Sequence, residues 1–437
     1  MSEDAEVRLW GQTIGAVSLE PGDLTAVFQY VPDFAASGIE VAPLTMPLRT
    51  APYAFPDLPY RSFKGLPGLL ADSLPDRYGN ALIDAWLARQ GREPGSVNAV
   101  ERLCYTGQRG IGALEYLPYK GPEKAIDEDI QIGRLVELAS KILSDRDGFE
   151  TALPPGEEED GLREILSVGS SAGGARAKAM IAWNPETNQI RSGQVPAPPG
   201  FEHWLLKFDG VEEGGGREVF AATHGYGAVE FAYSRIAGAA GLEMSECRLL
   251  EEGGRRHFMT RRFDRPGPSS KLHMQSLAAL RHFDFNLPGA YSYEQALQAI
   301  RVLGLSTAEI EQQFRRMAFN VIARNQDDHV KNIAFLMDQG GNWSLSPAFD
   351  VTYAYNPRGE FTAQHQMTMN DKREGFELAD FRACAQVAAM KRGRAEQIVE
   401  EVTAAVARWT EVATEAGVPE REAAAIAATH RLELPPG

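Results

Sequence analysis

The sequence predicts an α+β fold, β-rich in its first part and mainly helical in its second. Three observations predict it. Short strand-like apolar runs, broken by glycine and proline, recur among a few helices up to about residue 262. From Leu277 onward, long stretches repeat apolar residues at helical spacing instead. Among those helices lies a polar stretch, Asn325-Gln-Asp-Asp-His-Val-Lys-Asn332, followed after a hairpin-like insert by Ser346-Pro-Ala-Phe-Asp350.

The elements follow in order. Val7–Trp10 and Thr13–Val17 flank Gly11-Gln12, a hairpin signal, and Thr25–Val31 reads as a further strand. Proline and glycine then recur too often between Pro43 and Pro67 for regular structure. Pro75 and Asp76 open a helix with Tyr78, Leu82, Ile83, Trp86 and Leu87 on one face, ended by Gly91. A second short helix precedes Gly107, and Gly110–Tyr116 returns to strand. Gly121-Pro122 marks a boundary near residue 120.

The next helix carries Ile132, Leu135, Val136, Ala139 and Leu143, and Pro154–Asp160 reads as a charged loop. A run of small residues, Ser167–Lys178, leads into a strand at Ala179–Trp183. Backbone N–H groups in such a loop can cradle phosphate. A glycine-rich turn with no ligand reads equally well there. His203–Phe208 is an apolar strand holding Lys207, where an ammonium is costly without an anionic partner. Glu230, in a helix over Gly225–Ala240, is one candidate; the plainer reading is a lysine snorkelling to water. His257–Thr260 is a strand running into Arg261-Arg-Phe-Asp-Arg265. Helices are expected at Tyr293–Leu303, Thr307–Ala323, Leu378–Met390, Ala395–Glu415 and Arg421–Thr429, and Asn356–Asp371 is irregular.

The totals set limits. With 437 residues the chain can hold two or three domains. A net charge of −16 argues against a direct grip on nucleic acid, which Lys and Arg would have to carry. Cys104, Cys247 and Cys384 are odd in number and scattered, so they suit a reducing cytoplasm and buried sites. The acidic start has no apolar signal core, and no apolar run approaches the ~20 residues of a membrane span, so a soluble cytoplasmic protein is expected.

The polar stretch carries the chemistry. Phe314, Met317, Ala318, Val321 and Ile322 form one buried face of a helix that delivers Asn325 and Asp327 to its C-terminal end. Strands at 332–337 and 343–345 then flank the turn Gln339-Gly-Gly-Asn342 and lead to Asp350. Asp327 and Asn332 keep the Asp-x-x-x-x-Asn spacing of a kinase catalytic loop, and a metal-binding Asp follows later in such chains. Phosphoryl transfer needs one carboxylate to take a proton, and an amide and a second carboxylate to hold Mg²⁺. Asp328 reads equally well as a solvated turn residue.

Several motifs, in order, resemble HipA-like serine/threonine kinases, the toxin kinases of bacterial toxin–antitoxin modules. They are the loop around Ser170, the Leu-Lys207-Phe strand, Arg262-Phe-Asp-Arg265, Asn325-x-Asp-x-His-x-Lys-Asn332 and Phe349-Asp350. Leu74-Pro-Asp76 and Gly110–Tyr116 resemble that family's N-terminal part, so the likeness spans nearly the whole chain. It implies a two-lobed protein-kinase-like fold with an added small N-terminal α/β subdomain. The parts would be 1–120 (subdomain), 121–262 (β-rich N-lobe) and 263–437 (helical C-lobe).

The resemblance also implies site residues. Asp327 would be the catalytic base, Lys207 the phosphate lysine, and Asn332 and Asp350 the Mg²⁺ ligands. Ser170, Ser171, Gly173, Lys178, Phe263, His329 and Lys331 would line the ATP site, with Phe263 near the adenine. A serine of the glycine loop, Ser170 or Ser171, would be autophosphorylated, switching the enzyme off. The implied partners are a protein substrate, for which a translation component is the family precedent, and a small helix-turn-helix antitoxin. Lys331 lies four residues after Asp327, and His329 holds the place where eukaryotic kinases carry lysine, so the kinase is a divergent one. Alternatives are a small-molecule kinase, a metal-dependent hydrolase using Asp327, Asp328, His329 and Asp350, or a silent antitoxin-binding subunit, whose mark would be loss of Asp327 or Asp350.

Overall fold

The structure, a computed structural model, describes residues 3–121, 130–144, 157–169, 176–194, 197–211, 225–267 and 269–437. It falls into two compact units. The first comprises Met1–Gly215, Glu251–Gln275 and Leu336–Asn342; the second comprises Gly216–Leu250, Ser276–Phe335 and Trp343–Gly437.

The first unit holds one sheet whole and most of a second. Strands β1 (Glu3–Leu9), β2 (Gln12–Leu19), β3 (Val27–Tyr30) and β4 (Leu114–Leu117) form an antiparallel sheet in the order β3-β2-β1-β4. Period-2 alternation buries Val7, Leu9, Val17, Phe28, Tyr30 and Tyr116 on one face. The third strand is shorter than the expected 25–31, while β1 and β2 meet at Gln12 as the hairpin signal predicts. The helix Arg77–Arg89 starts where Asp76 accepts the Gly79 N–H at 2.7 Å. It buries the face read from the sequence, Tyr78, Leu82, Ile83, Trp86 and Leu87.

The second sheet contains β5 (Lys178–Trp183), β6 (Ile190–Ser192), β7 (Glu202–Lys207), β8 (Cys247–Glu252) and β9 (Arg255–Arg261) in the order β6-β5-β7-β9-β8. Every residue of β5 is buried, which is why Ala179–Trp183 is an unbroken apolar run instead of an alternating one. One expectation fails beside it. Residues 157–160, read as loop, open a helix, Glu157–Val168. Breaker-rich sequence ends before them, and acidic residues are favourable at a helix start.

The second unit is mainly helical. Tyr226–Ala239, Tyr293–Val302, Thr307–Ile322 and Glu420–Ala427 match the expected helices to within a residue or two. The stretch 395–415 divides into Arg394–Val406 and Trp409–Glu415, broken at Ala407-Arg408. Leu378–Val387 stops short of Met390 because Ala389 turns left-handed at φ 55°. Ser306 and Glu309 form a reciprocal capping box at the start of Thr307–Ile322. Phe314, Met317, Ala318, Val321 and Ile322 are all buried along it. Ala334–Met337 and Trp343–Leu345 are strands, joined by a turn in which Asp338 Oδ1 accepts the Gly340 and Asn342 N–H groups. No helix among the described residues is long and apolar enough to cross a membrane.

Candidate functional site

The helix Thr307–Ile322 ends at Ala323, and Arg324 turns the chain sharply with φ 59°. Asn325 is then fixed twice to Asn320, backbone N to O at 3.0 Å and side-chain Nδ2 to Oδ1 at 2.9 Å. Reciprocal bonds between Gln326 N and Ala354 O, and Ala354 N and Arg324 O, join the loop to the segment that follows Asp350. A single 3₁₀ turn, Val330–Asn332, closes the loop.

Asp327 and Asn332 come together. Asn332 Nδ2 donates to the Asp327 carbonyl at 2.8 Å, which sets the amide's orientation and leaves Oδ1 as its remaining acceptor. The Asp327 carboxylate is about half exposed, with 49% of its side chain accessible. Gln366 Nε2 donates to its Oδ1 at 3.3 Å, and His329 Nε2 lies 3.8 Å from the same atom. The second distance is too long for a hydrogen bond. Lys331 sits with its ammonium 4.4 Å from the centre of the Phe285 ring, a cation–π contact.

Asp350 lies at φ 52°, in the left-handed region where Asp is one of the few non-glycine residues tolerated. Its flanks are held firmly. The buried Arg316 donates through Nη2 to the Ser346 carbonyl, and Ala348 N donates to Glu243 O at 2.7 Å. Tyr226 OH reaches Tyr353 O at 2.6 Å and accepts from Thr352 at 3.1 Å.

Asp328 corrects its reading as a solvated turn residue, being 4% exposed and fully engaged. Tyr293 OH donates to Oδ2 at 2.6 Å, His365 Nδ1 lies 2.7 Å from Oδ2, and Gln366 N donates to Oδ1 at 2.7 Å. Burial alone would raise this carboxyl, but His365, Tyr293 and Gln366 outweigh it and hold it below its ordinary range. A hydrolytic site that counts Asp328 as a metal ligand loses that ligand. Among the described residues no group of three His, Cys, Asp or Glu side chains is placed to hold a metal. His365, Gln366 and Tyr293 had no assigned role in the sequence. Their separations from Asp328, 35 to 38 residues, leave no local signal.

The remaining candidates belong to the first unit. Lys207 ends β7, half-buried, with Nζ 5.7 Å from the centre of the Phe258 ring. Its cross-strand neighbour is Lys178 at the start of β5. Lys178 is 1% exposed, with Nζ 2.9 Å from Asp76 Oδ2. The structure thus sets this lysine against a protein anion. Lys178→Met should strand the Asp76 charge and lower unfolding free energy by about 3 kcal/mol or more. Urea denaturation measures this. Unchanged stability with weakened ATP binding would return Lys178 to the nucleotide. Phe263 follows β9, half-buried, between Arg262 and Asp264. Ser170, Ser171 and Gly173 lie outside the described residues, as does the question of which serine is modified. Cys104 and Cys384 are buried and Cys247 is half-buried, and none of them forms a disulfide.

Comparison with known proteins places this arrangement. Residues 170–410 match the HipA-like C-terminal domain and residues 5–117 match the HipA N-terminal domain. The protein named "Putative kinase Y4dM" of Sinorhizobium fredii (strain NBRC 101917 / NGR234) is 27% identical over 214 residues, 44% of this chain and 48% of that protein. The chain thus spans about half the length of that curated relative. Among solved structures, the chain resembles one from the Shewanella oneidensis MR-1 toxin–antitoxin complex of HipA, HipB and operator DNA. The TM-score is 0.67 at 17% identity, over 97% of this chain and 94% of that one. The likeness is one of fold, this chain being folded like that HipA chain. With one domain model covering more than half its length and the second covering its N-terminal part, the chain belongs to the HipA-like family.

Proposed function

We propose that this chain is an ATP- and Mg²⁺-dependent serine/threonine protein kinase. The observation that carries the reading is the Asp327–Asn332 pairing. It leaves a half-exposed carboxylate beside an amide whose oxygen is its remaining acceptor. That donor set fits a magnesium nucleotide, since Mg²⁺ takes hard oxygen ligands and keeps few protein groups. Asn332 Oδ1 and the Asp350 carboxylate are the groups that would hold the metal. When bound, MgATP supplies the phosphoryl group and neutralises its charge.

The chain's own groups do the rest. Asp327 accepts the proton of the substrate hydroxyl as the new O–P bond forms and the bond to ADP breaks. Gln366 holds one oxygen of that carboxylate and so orients it. Lys207 is assigned to the nucleotide phosphates, and Phe263, His329 and Lys331 to the rest of the nucleotide site. Autophosphorylation of Ser170 or Ser171 and a translation component as substrate follow the family pattern. So does a small antitoxin partner, which the neighbouring complex with HipB supports. Cys104, Cys247 and Cys384, which form no disulfide, support a reducing cytoplasm.

The reading is tested by incubating the protein with MgATP and mapping phosphoserine and phosphothreonine by mass spectrometry. ADP release with phosphate on serine or threonine is expected, lost on chelating Mg²⁺. Absence of any phosphorylated residue, in itself or in a cell extract, overturns it. Lys207→Met adds a second arm. It keeps most of the side-chain volume but removes the ammonium that faces Phe258, so ATP turnover should fall at least tenfold with the fold intact. Unaltered turnover would make Lys207 a surface lysine.

A further inference from the structure

The last carbonyls of a helix have no partner within it. At the end of Thr307–Ile322, from which the Asp327 loop hangs, three successive carbonyls are taken by distant groups. Arg431 Nη1 donates to Val321 O at 3.0 Å, and Arg431 N to Ile322 O at 2.9 Å. Tyr233 OH donates to Ala323 O at 2.7 Å. Arg324 Nε, in return, donates to Thr429 O at 2.8 Å. Residues 429–431, just beyond the helix Glu420–Ala427, are thereby stitched to the point where the loop begins.

The same guanidinium reaches further. Arg431 Nη1 lies 2.9 Å from His365 Nε2. Arginine has only donors, so Nε2 accepts and the ring proton sits on Nδ1. That Nδ1 faces Asp328 Oδ2 at 2.7 Å, deep in the protein, with His365 fully buried. Gln366, the next residue, spans both acids, its backbone N on Asp328 Oδ1 and its side-chain Nε2 on Asp327 Oδ1. An unbroken chain of polar contacts therefore runs from Arg431 through His365 to Asp328, and through Gln366 to the Asp327 carboxylate.

We propose that Arg431 is a positioning residue for phosphoryl transfer, acting through His365 and Asp328 to hold the Asp327 loop in its working geometry. This rests on the kinase reading of Asp327. Arg431 does not touch Asp327, so its loss should leave nucleotide binding alone and misplace the base. A displacement of ~1 Å can cost about 10²-fold in rate.

The test compares Arg431→Ala, Arg431→Lys and His365→Gln with wild type in the full chain. Arg431→Ala should lower kcat for phosphoryl transfer about 10²-fold with KM for ATP within about twofold. Added guanidinium ion, well below denaturing concentration, should restore part of that rate in Arg431→Ala and none in His365→Gln. Amide hydrogen exchange at residues 325–332 should quicken in both. A folded Arg431→Ala with wild-type kcat overturns the proposal, and so does unchanged exchange in the loop. If Arg431→Ala does not fold, His365→Gln decides by the same kcat and exchange outcomes, because it keeps the bonds to Val321 and Ile322. If the wild-type protein transfers no phosphate at all, the kinase reading fails, and the exchange measurement alone decides whether Arg431 orders the loop.

Discussion

Asp327→Asn should reduce phosphoryl transfer by about 10²–10⁴-fold, the range for a positioned acid–base group, while leaving MgATP binding and the fold intact. The substitution is nearly isosteric. The bond from Asn332 is to the Asp327 backbone carbonyl, so it survives, and with it the placement of the amide oxygen. Gln366 Nε2 can still meet the side-chain oxygen that replaces Oδ1. What disappears is the ability to take a proton. Initial rates of autophosphorylation together with calorimetric ATP binding separate the two effects. Wild-type rates in the purified variant would remove Asp327 from the chemistry. The neighbouring acid should behave differently. Asp328 has three buried donors and no exposed face, so its loss should act on loop order.

That difference between neighbours shows where sequence reasoning reaches and where it stops. The helix Thr307–Ile322 was legible because its signal is local, a buried face repeating every three to four residues. The Asp327–Asn332 pairing was legible for the same reason, since five residues of loop fix it. Asp328 was not. Its environment is made by Tyr293, His365 and Gln366, which reach it from other segments, and nothing in Asn325–Asn332 shows that this acid is buried. The lysines repeat the lesson. A cation in an apolar strand needs an anion, and that argument was applied to Lys207. In the structure it describes Lys178 better, because Lys178 is the fully buried one and its anion, Asp76, is a helix cap far away in sequence. The split at Ala407-Arg408 was hidden because alanine-rich sequence continues helical periodicity on either side of the break.

The largest stability effect is expected at Asp264. Its carboxylate is 3% exposed and accepts from Arg262 Nε at 2.9 Å and Nη2 at 2.7 Å. It also accepts from Arg265 Nη1 at 2.7 Å and from Gly112 N at 2.8 Å. Arg265 Nη2 continues to the Gly110 carbonyl at 3.1 Å, so one carboxylate and two guanidinium groups pin the 110–112 turn. Gly112 can take this place because it sits at φ +75°, where a Cβ would come within 2.9 Å of Met274 N. Asp264→Ala removes the anion and leaves two like charges buried side by side, with one backbone donor unpaired. Breaking a buried pair from one side costs about 3–5 kcal/mol, a large share of the ~5–15 kcal/mol that holds a protein folded. The urea midpoint should fall with little change in slope. Burial alone would raise this carboxyl, but Arg262 and Arg265 outweigh it and hold it far below the ordinary range. Its contribution is therefore complete above the unfolded value of about 3.9 and is lost as pH falls towards the folded one. The stability gap between wild type and Asp264→Ala should stay constant from neutral pH down to about 5 and narrow in stronger acid. A gap under about 1 kcal/mol at neutral pH would mean that the two arginines find water or other partners, and that the 110–112 turn does not depend on this carboxylate.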